Sequence, residues 1–222
     1  MVSGIVGSVA LGLIAMQAPS GVTEGTRNPI ATVNTLYGPT GLIVVPTAYT
    51  AAPNAVQLGT SFGSDLRGPS VNYGILSDVE VGGAFIDREG SDNEGIASAK
   101  VTIVPSNFTW FEIGVGIIDA VDAIDQTVYV VASADLVVPD VEVADRSPVG
   151  LRVHAGVGTG LFEETLIGGG ELIFANDFSI IGEYDADTLN GALRYNYNED
   201  FSAQIGFQAR DLFFGMTYSM RF

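Results

Sequence analysis

The stretch "FFGMTYSMRF", residues 213–222, places Phe214, Met216, Tyr218, Met220 and Phe222 at every second position, with Gly215, Thr217, Ser219 and Arg221 between them. Strict period-two alternation specifies a β-strand with one apolar and one polar face. The fold then turns on what covers the apolar face.

The same alternation recurs upstream. In "FSAQIGFQA" (201–209), Phe201, Ala203, Ile205 and Phe207 oppose Ser202, Gln204, Gly206 and Gln208, and in "VGLRVHAGV" (149–157) Leu151, Val153, Ala155 and Val157 oppose Arg152, His154 and Gly156. Runs of this kind are expected at about 55–63, 70–76, 78–87, 95–105, 109–118, 126–138, 148–158, 165–174, 177–185, 189–198, 200–209 and 211–222. They predict an all-β chain, a transmembrane antiparallel up-and-down barrel of about 12 strands.

A soluble barrel or sandwich also alternates, with its apolar face turned inward. Three features favour lipid on that face. The polar faces are rich in Gly, Ser, Asn and Gln and poor in charge. Lys100, Arg152, Arg194 and Arg221 share the polar parity, while Arg27, Arg67, Arg88, Arg146 and Arg210 are read as lying in or beside connections. A basic residue facing lipid at the midplane costs about 2–4 kcal/mol, so this distribution is what hydrocarbon demands. Finally, Phe178, Tyr184, Tyr195, Tyr197, Phe201 and Phe222 sit towards strand ends, where interfacial girdles form. The connections predict short turns on one side and longer, acidic loops on the other, apart from "PDVEVADRSP" (139–148).

Composition excludes several functions. With 26 acidic against nine basic residues, a net charge of −17 and Lys100 as the one lysine, the chain lacks the basic footprint that nucleic acid requires. The absence of cysteine removes disulfides and thiolate metal sites. Residues 1–20 carry an apolar stretch from about Ile5 to Met16 and then small residues around Ala18, a signal-peptide-like pattern without a basic start. Residues 21–54 form a lead-in segment whose "GPTGLIVVPTAYTAAPN" (38–54) contains three prolines, favouring an extended, turn-punctuated chain that a lumen could hold. The barrel itself takes residues 55–222.

Parity points Glu80, Lys100, Glu112, Asp135, Arg152, His154, Glu171, Glu183, Asp185, Arg194 and Arg221 into the lumen. These charges could pair as a structural network or select solutes along a narrow aqueous path. Catalysis has little support. His154 is the single histidine, parity buries it in mid-strand, and nothing marks a nearby serine such as Ser133 as a nucleophile. No catalytic, cofactor or metal site is expected: "GVGTG" (156–160) and "GGG" (168–170) lack the dinucleotide spacing, and no loop has calcium-loop spacing. The sequon at Asn107 falls in an expected short periplasmic turn and reads as coincidence.

The alternating C-terminal strand ending in Phe222 resembles the signal by which the outer-membrane assembly machinery recognises its substrates, with Phe214, Met216, Tyr218 and Met220 completing the pattern. A closer resemblance lies in "TGLIVVPTAYTAAPNAVQLGTSFG" (40–63), "VNYGILSDVEVGGAF" (71–85) and "FSIIGEYDADTLNGALRYNYNEDFSAQIGF" (178–207), which look like the YjbH-like family of outer-membrane barrels. The likeness covers the lead-in segment and the last third well and the middle poorly. It implies an envelope role connected with exopolysaccharide, in a minimal single barrel. The partners expected are outer-membrane lipid, the assembly machinery and a polysaccharide or small solutes. Two functional classes follow. One is a narrow channel or export-associated barrel plugged by the lead-in segment at Gly41, Leu42, Ile43, Pro46 and Thr47. The other is a non-conducting structural or adhesion barrel whose Asp87, Glu89, Asp92 and Glu94 hold cations or contact polymers. A soluble ligand-binding barrel is the third reading.

Overall fold

A computed structural model describes residues 32–63, 66–88, 93–106, 110–137, 149–174 and 178–222. The signal-peptide-like segment 1–20, residues 21–31 of the lead-in segment, the connection 139–148 and the Asn107 sequon lie outside the described residues.

Twelve strands form one closed antiparallel barrel. They are β1 (Ala55–Gly63), β2 (Leu66–Leu76), β3 (Val79–Arg88), β4 (Glu94–Ile103), β5 (Phe111–Ile118), β6 (Thr127–Val137), β7 (Val149–Gly158), β8 (Thr165–Phe174), β9 (Phe178–Tyr184), β10 (Leu189–Asn196), β11 (Phe201–Gln208) and β12 (Asp211–Arg221). Each strand pairs with its sequence neighbours, and β1 closes on β12 from Ala55↔Arg221 to Gly63↔Phe213. Among the described residues no strand edge remains unpaired, which is the condition for crossing a hydrocarbon layer with β-structure.

Period two fixes the faces. Leu58, Val71, Val101, Val130, Ile180 and Ile205, on six different strands, are between 41% and 52% exposed, whereas Gln57, Asn72, Lys100, Ser133, Ser179 and Gln204 on the opposite parity are buried. The apolar face therefore points out of the barrel. Phe178 stacks on Tyr195 at 4.6 Å between ring centroids, and Tyr197 lies 6.5 Å from Tyr195, building an outward aromatic cluster where β9 starts and β10 ends. Of the terminal stretch, Phe214, Tyr218 and Phe222 are 38%, 47% and 85% exposed, with Met216 and Met220 half-buried on the same side.

Two expectations need correction. Arg67 does not lie beside a connection: β2 starts at Leu66, and Arg67 is an exposed residue of outward parity near the strand end, pairing with Asp87 at 2.8 Å. Gly68 and Pro69 fall in the connection expected between 63 and 70, but Gly68 at φ 157° lets the strand run through them. That extension also weakens the expected loop asymmetry. At the end where β1 begins and β12 finishes, hereafter the root end, one connection spans 138–148; at the opposite, loop end, 64–65 and 209–210 are two-residue links.

Candidate functional site: a filled lumen

Residues 32–54 lead from inside the barrel to the start of β1. They form neither helix nor strand, as the prolines require, but a compact double turn with bridges Asn34↔Thr40 and Gly41↔Pro46. Leu36 N–H donates to Ile43 C=O at 2.8 Å, Leu42 N–H to Val45 C=O at 2.9 Å and Thr47 N–H to Thr40 C=O at 3.3 Å. Leu42, Ile43 and Val45 are completely buried, and Pro46 and Thr47 are buried beside them. Two glycines of the wall make room. A Cβ on Gly114 would lie 2.8 Å from Ala48 Cα, and one on Gly169 would lie 2.6 Å from Leu42 Cδ1. The "GGG" run thus permits close approach of the segment.

The lumen has two tiers of different chemistry. Towards the loop end, Ile86, Ile96, Ile118, Tyr129, Phe162, Ile167 and Phe213 turn inward and pack with Leu36 and Leu42 to Val45 into one apolar core. Towards the root end the wall is polar, with Glu80, Lys100, Ser133, Arg152, His154, Glu171 and Arg194 all buried. A cavity of about 10 Å³ between the segment and the wall, lined by Asn34, Ser61, Ser70, Gln204 and Thr217 among others, has room for about one water.

The wall grips the segment largely by its main chain. Glu183 accepts N–H bonds from Ile43 at 2.9 Å, Val44 at 2.8 Å and Val45 at 3.2 Å. Glu80 accepts Thr40 N–H at 3.0 Å, Thr40 O–H at 2.8 Å and Ala51 N–H at 2.7 Å. Lys100 Nζ donates to Thr40 C=O at 2.8 Å, Tyr49 C=O at 2.6 Å and the Thr40 hydroxyl, and stands 3.7 Å from Glu80. Arg194 Nη2 donates to Leu42 C=O at 2.9 Å and Gly41 C=O at 3.3 Å, while its Nη1 meets Glu171 at 3.3 Å. Buried charges need such partners, because an unpartnered ion in a dry interior is costly.

Further predicted lumen residues join this arrangement. Arg152 pairs with Asp135 at 2.8 Å and approaches Glu171 at 4.0 Å, and Asp135 also accepts the Tyr49 hydroxyl at 3.0 Å. Tyr49 packs edge-on against His154, with ring centroids 5.9 Å apart. Ser133 Oγ accepts Ala48 N–H at 2.8 Å and lies within hydrogen-bond distance of His154 Nδ1, 2.8 Å away. The serine and histidine are 1% and 4% exposed beneath the segment, which they help to anchor. Glu112 points inward from β5, half-buried and engaged. Asp185 lies just beyond β9 at the loop mouth, accepting from Thr188 and Asn190. Arg221 departs from the expectation. It has inward parity, but at the root rim its side chain is 59% exposed and pairs with Glu199 at 3.8 Å, since the wall ends there.

Sequence reading missed the apolar tier and Asp119. That residue is fully buried in the β5–β6 loop, where its carboxylate accepts N–H bonds from Ala123, Ile124 and Asp125. Its charge organises the loop rather than facing outward. A visible signal was the adjacent apolar pairs Phe85-Ile86, Ile117-Ile118 and Phe213-Phe214, which interrupt strict alternation near the strands' loop ends, and Ile180-Ile181 in the middle of β9.

No family model matches the chain, and no curated protein matches it. Among solved structures it is similar to a KdgM porin, at 12% identity and a TM-score of 0.48, over 76% of this chain and 99% of that one. A KdgM porin in complex with disordered oligogalacturonate gives the same figures.

Proposed function

We propose that this chain is an outer-membrane channel held shut by its own N-terminal segment. The observation that carries the reading is that Glu80, Lys100, Glu183 and Arg194 direct their bonds to the main chain of residues 40–51, an element that is not part of the wall. A closed barrel with an apolar exterior and outward aromatics near a strand end suits insertion in a bilayer. The acidic connections 119–126 and 185–188 then face outside and the root end faces the periplasm. The resemblance of residues 40–63 to the YjbH-like family supports an extracellular polysaccharide as the exported class. The non-conducting alternative draws support from the apolar core that fills the loop-end tier.

Planar-bilayer recording separates the two. Full-length protein is expected to remain shut, and deletion of residues 41–48 to open steady conductance. A deletion variant that still shows the heat-dependent gel shift of a folded barrel, yet stays silent, overturns the channel reading.

A further inference from the structure

We infer that Glu183 has a second role, as the residue that selects small cations in the open lumen, an assignment that rests on the channel reading above. Three wall cations already have acidic partners that stay in place when the segment leaves. Lys100 stands by Glu80 at 3.7 Å, Arg152 by Asp135 at 2.8 Å and Arg194 by Glu171 at 3.3 Å. All of these lie in the polar, root-end tier, where Glu112 is a fourth inward acid beside the three pairs.

Glu183 is placed differently. It projects inward near the loop end of β9, among Ile167, Ile181 and Ala192 of the apolar tier, and no lysine or arginine nitrogen of the described residues lies within 4.0 Å of it. In the shut barrel its carboxylate is satisfied by three main-chain N–H groups of residues 43–45 and by Asn190 Nδ2 at 3.0 Å. Withdrawal of the segment removes the first three donors together and leaves Asn190. Water then replaces them, and a hydrated carboxylate faces the passage among apolar side chains, with Asp185 beyond it at the mouth sharing Asn190. Every ion crossing that tier passes this charge. With a permeant ion ~5 Å away at the dielectric of water, attraction of a cation and repulsion of an anion together convert to roughly a tenfold preference. The same side chain thus latches the closed state and discriminates in the open one, because both tasks need a carboxylate that no wall cation contacts directly.

The test compares potassium-to-chloride permeability ratios, from reversal potentials in a potassium chloride gradient, for the 41–48 deletion with and without Glu183→Gln. Full-length Ile43→Asn, which sets an amide in the apolar tier to dislodge the tip, serves as a second opener should the deletion fold poorly. The gel shift certifies each barrel. The expected result is a cation preference that drops severalfold, by up to about tenfold, with Glu183→Gln in either background. A ratio that Glu183→Gln leaves unchanged, or an anion-preferring open barrel, overturns the assignment and leaves the channel standing. Silence of the folded deletion variant, or of the folded Ile43→Asn barrel where the deletion does not fold, removes the channel reading and this role with it.

Discussion

Lys100→Met, alone and combined with Glu80→Met, tests whether the buried ion pair exists for the segment or for itself. The two side chains are 1% and 2% exposed, so Lys100→Met strands a carboxylate that keeps three donors but loses its cation. Breaking a buried pair from one side costs about 3–5 kcal/mol. In a self-contained pair the double replacement recovers most of that loss, since two apolar side chains of similar size are tolerated. Here it should not. Thr40 N–H and Ala51 N–H both bond to Glu80, and a buried main-chain donor left without a partner costs about 1–3 kcal/mol. The double variant is therefore expected to remain at least as destabilised as Lys100→Met. Trp110, the single tryptophan and 64% exposed, supplies a fluorescence reporter for urea unfolding from lipid vesicles. The midpoint should fall by on the order of 1–2 M for both variants. A double variant that returns to the wild-type midpoint refutes the reasoning, because the pair would then be independent of the segment.

Two further outcomes follow from the same geometry. Lys100 is the one lysine and is 1% exposed, so an amine-reactive reagent should leave it unmodified in the intact barrel and modify it once residues 41–48 are deleted, as read by peptide mass mapping. Leu193 faces outward between Ile180 and Ile205, and Leu193→Arg should lower stability in vesicles by about 2–4 kcal/mol in the Trp110 assay; a neutral effect would place that row outside the hydrocarbon.

Strand positions and faces were legible because each side chain's direction follows from its parity, a local property. Hence Lys100, His154 and Arg194 could be directed inward from the sequence alone. What fills the interior depends on contacts between residues far apart, such as Glu183 with Ile43, 140 positions away, and no local pattern encodes which carboxylate meets which N–H. Ile86, Ile118, Ile181 and Phe213 illustrate the limit. Beside an outward apolar neighbour each reads as part of a continuous greasy run, although it belongs to an interior core shared with Leu36 and Leu42 to Val45 of the segment. Arg67 and Arg221 show another limit, since parity gives direction but not depth, and at a strand's end an inward or outward residue can still reach water.

The seam between β1 and β12 bears on the order of assembly. Phe222 N–H reaches back to Asn54 C=O at 3.1 Å, so the last strand zips against the residue where the lead-in segment becomes wall. Once that zipper has closed, the cylinder offers no side door, and the tip must either be aboard beforehand or climb through the root mouth past Glu80 and Arg194. A chain that boards early would mature around its own cargo, with drying of the upper compartment as the final step of its folding.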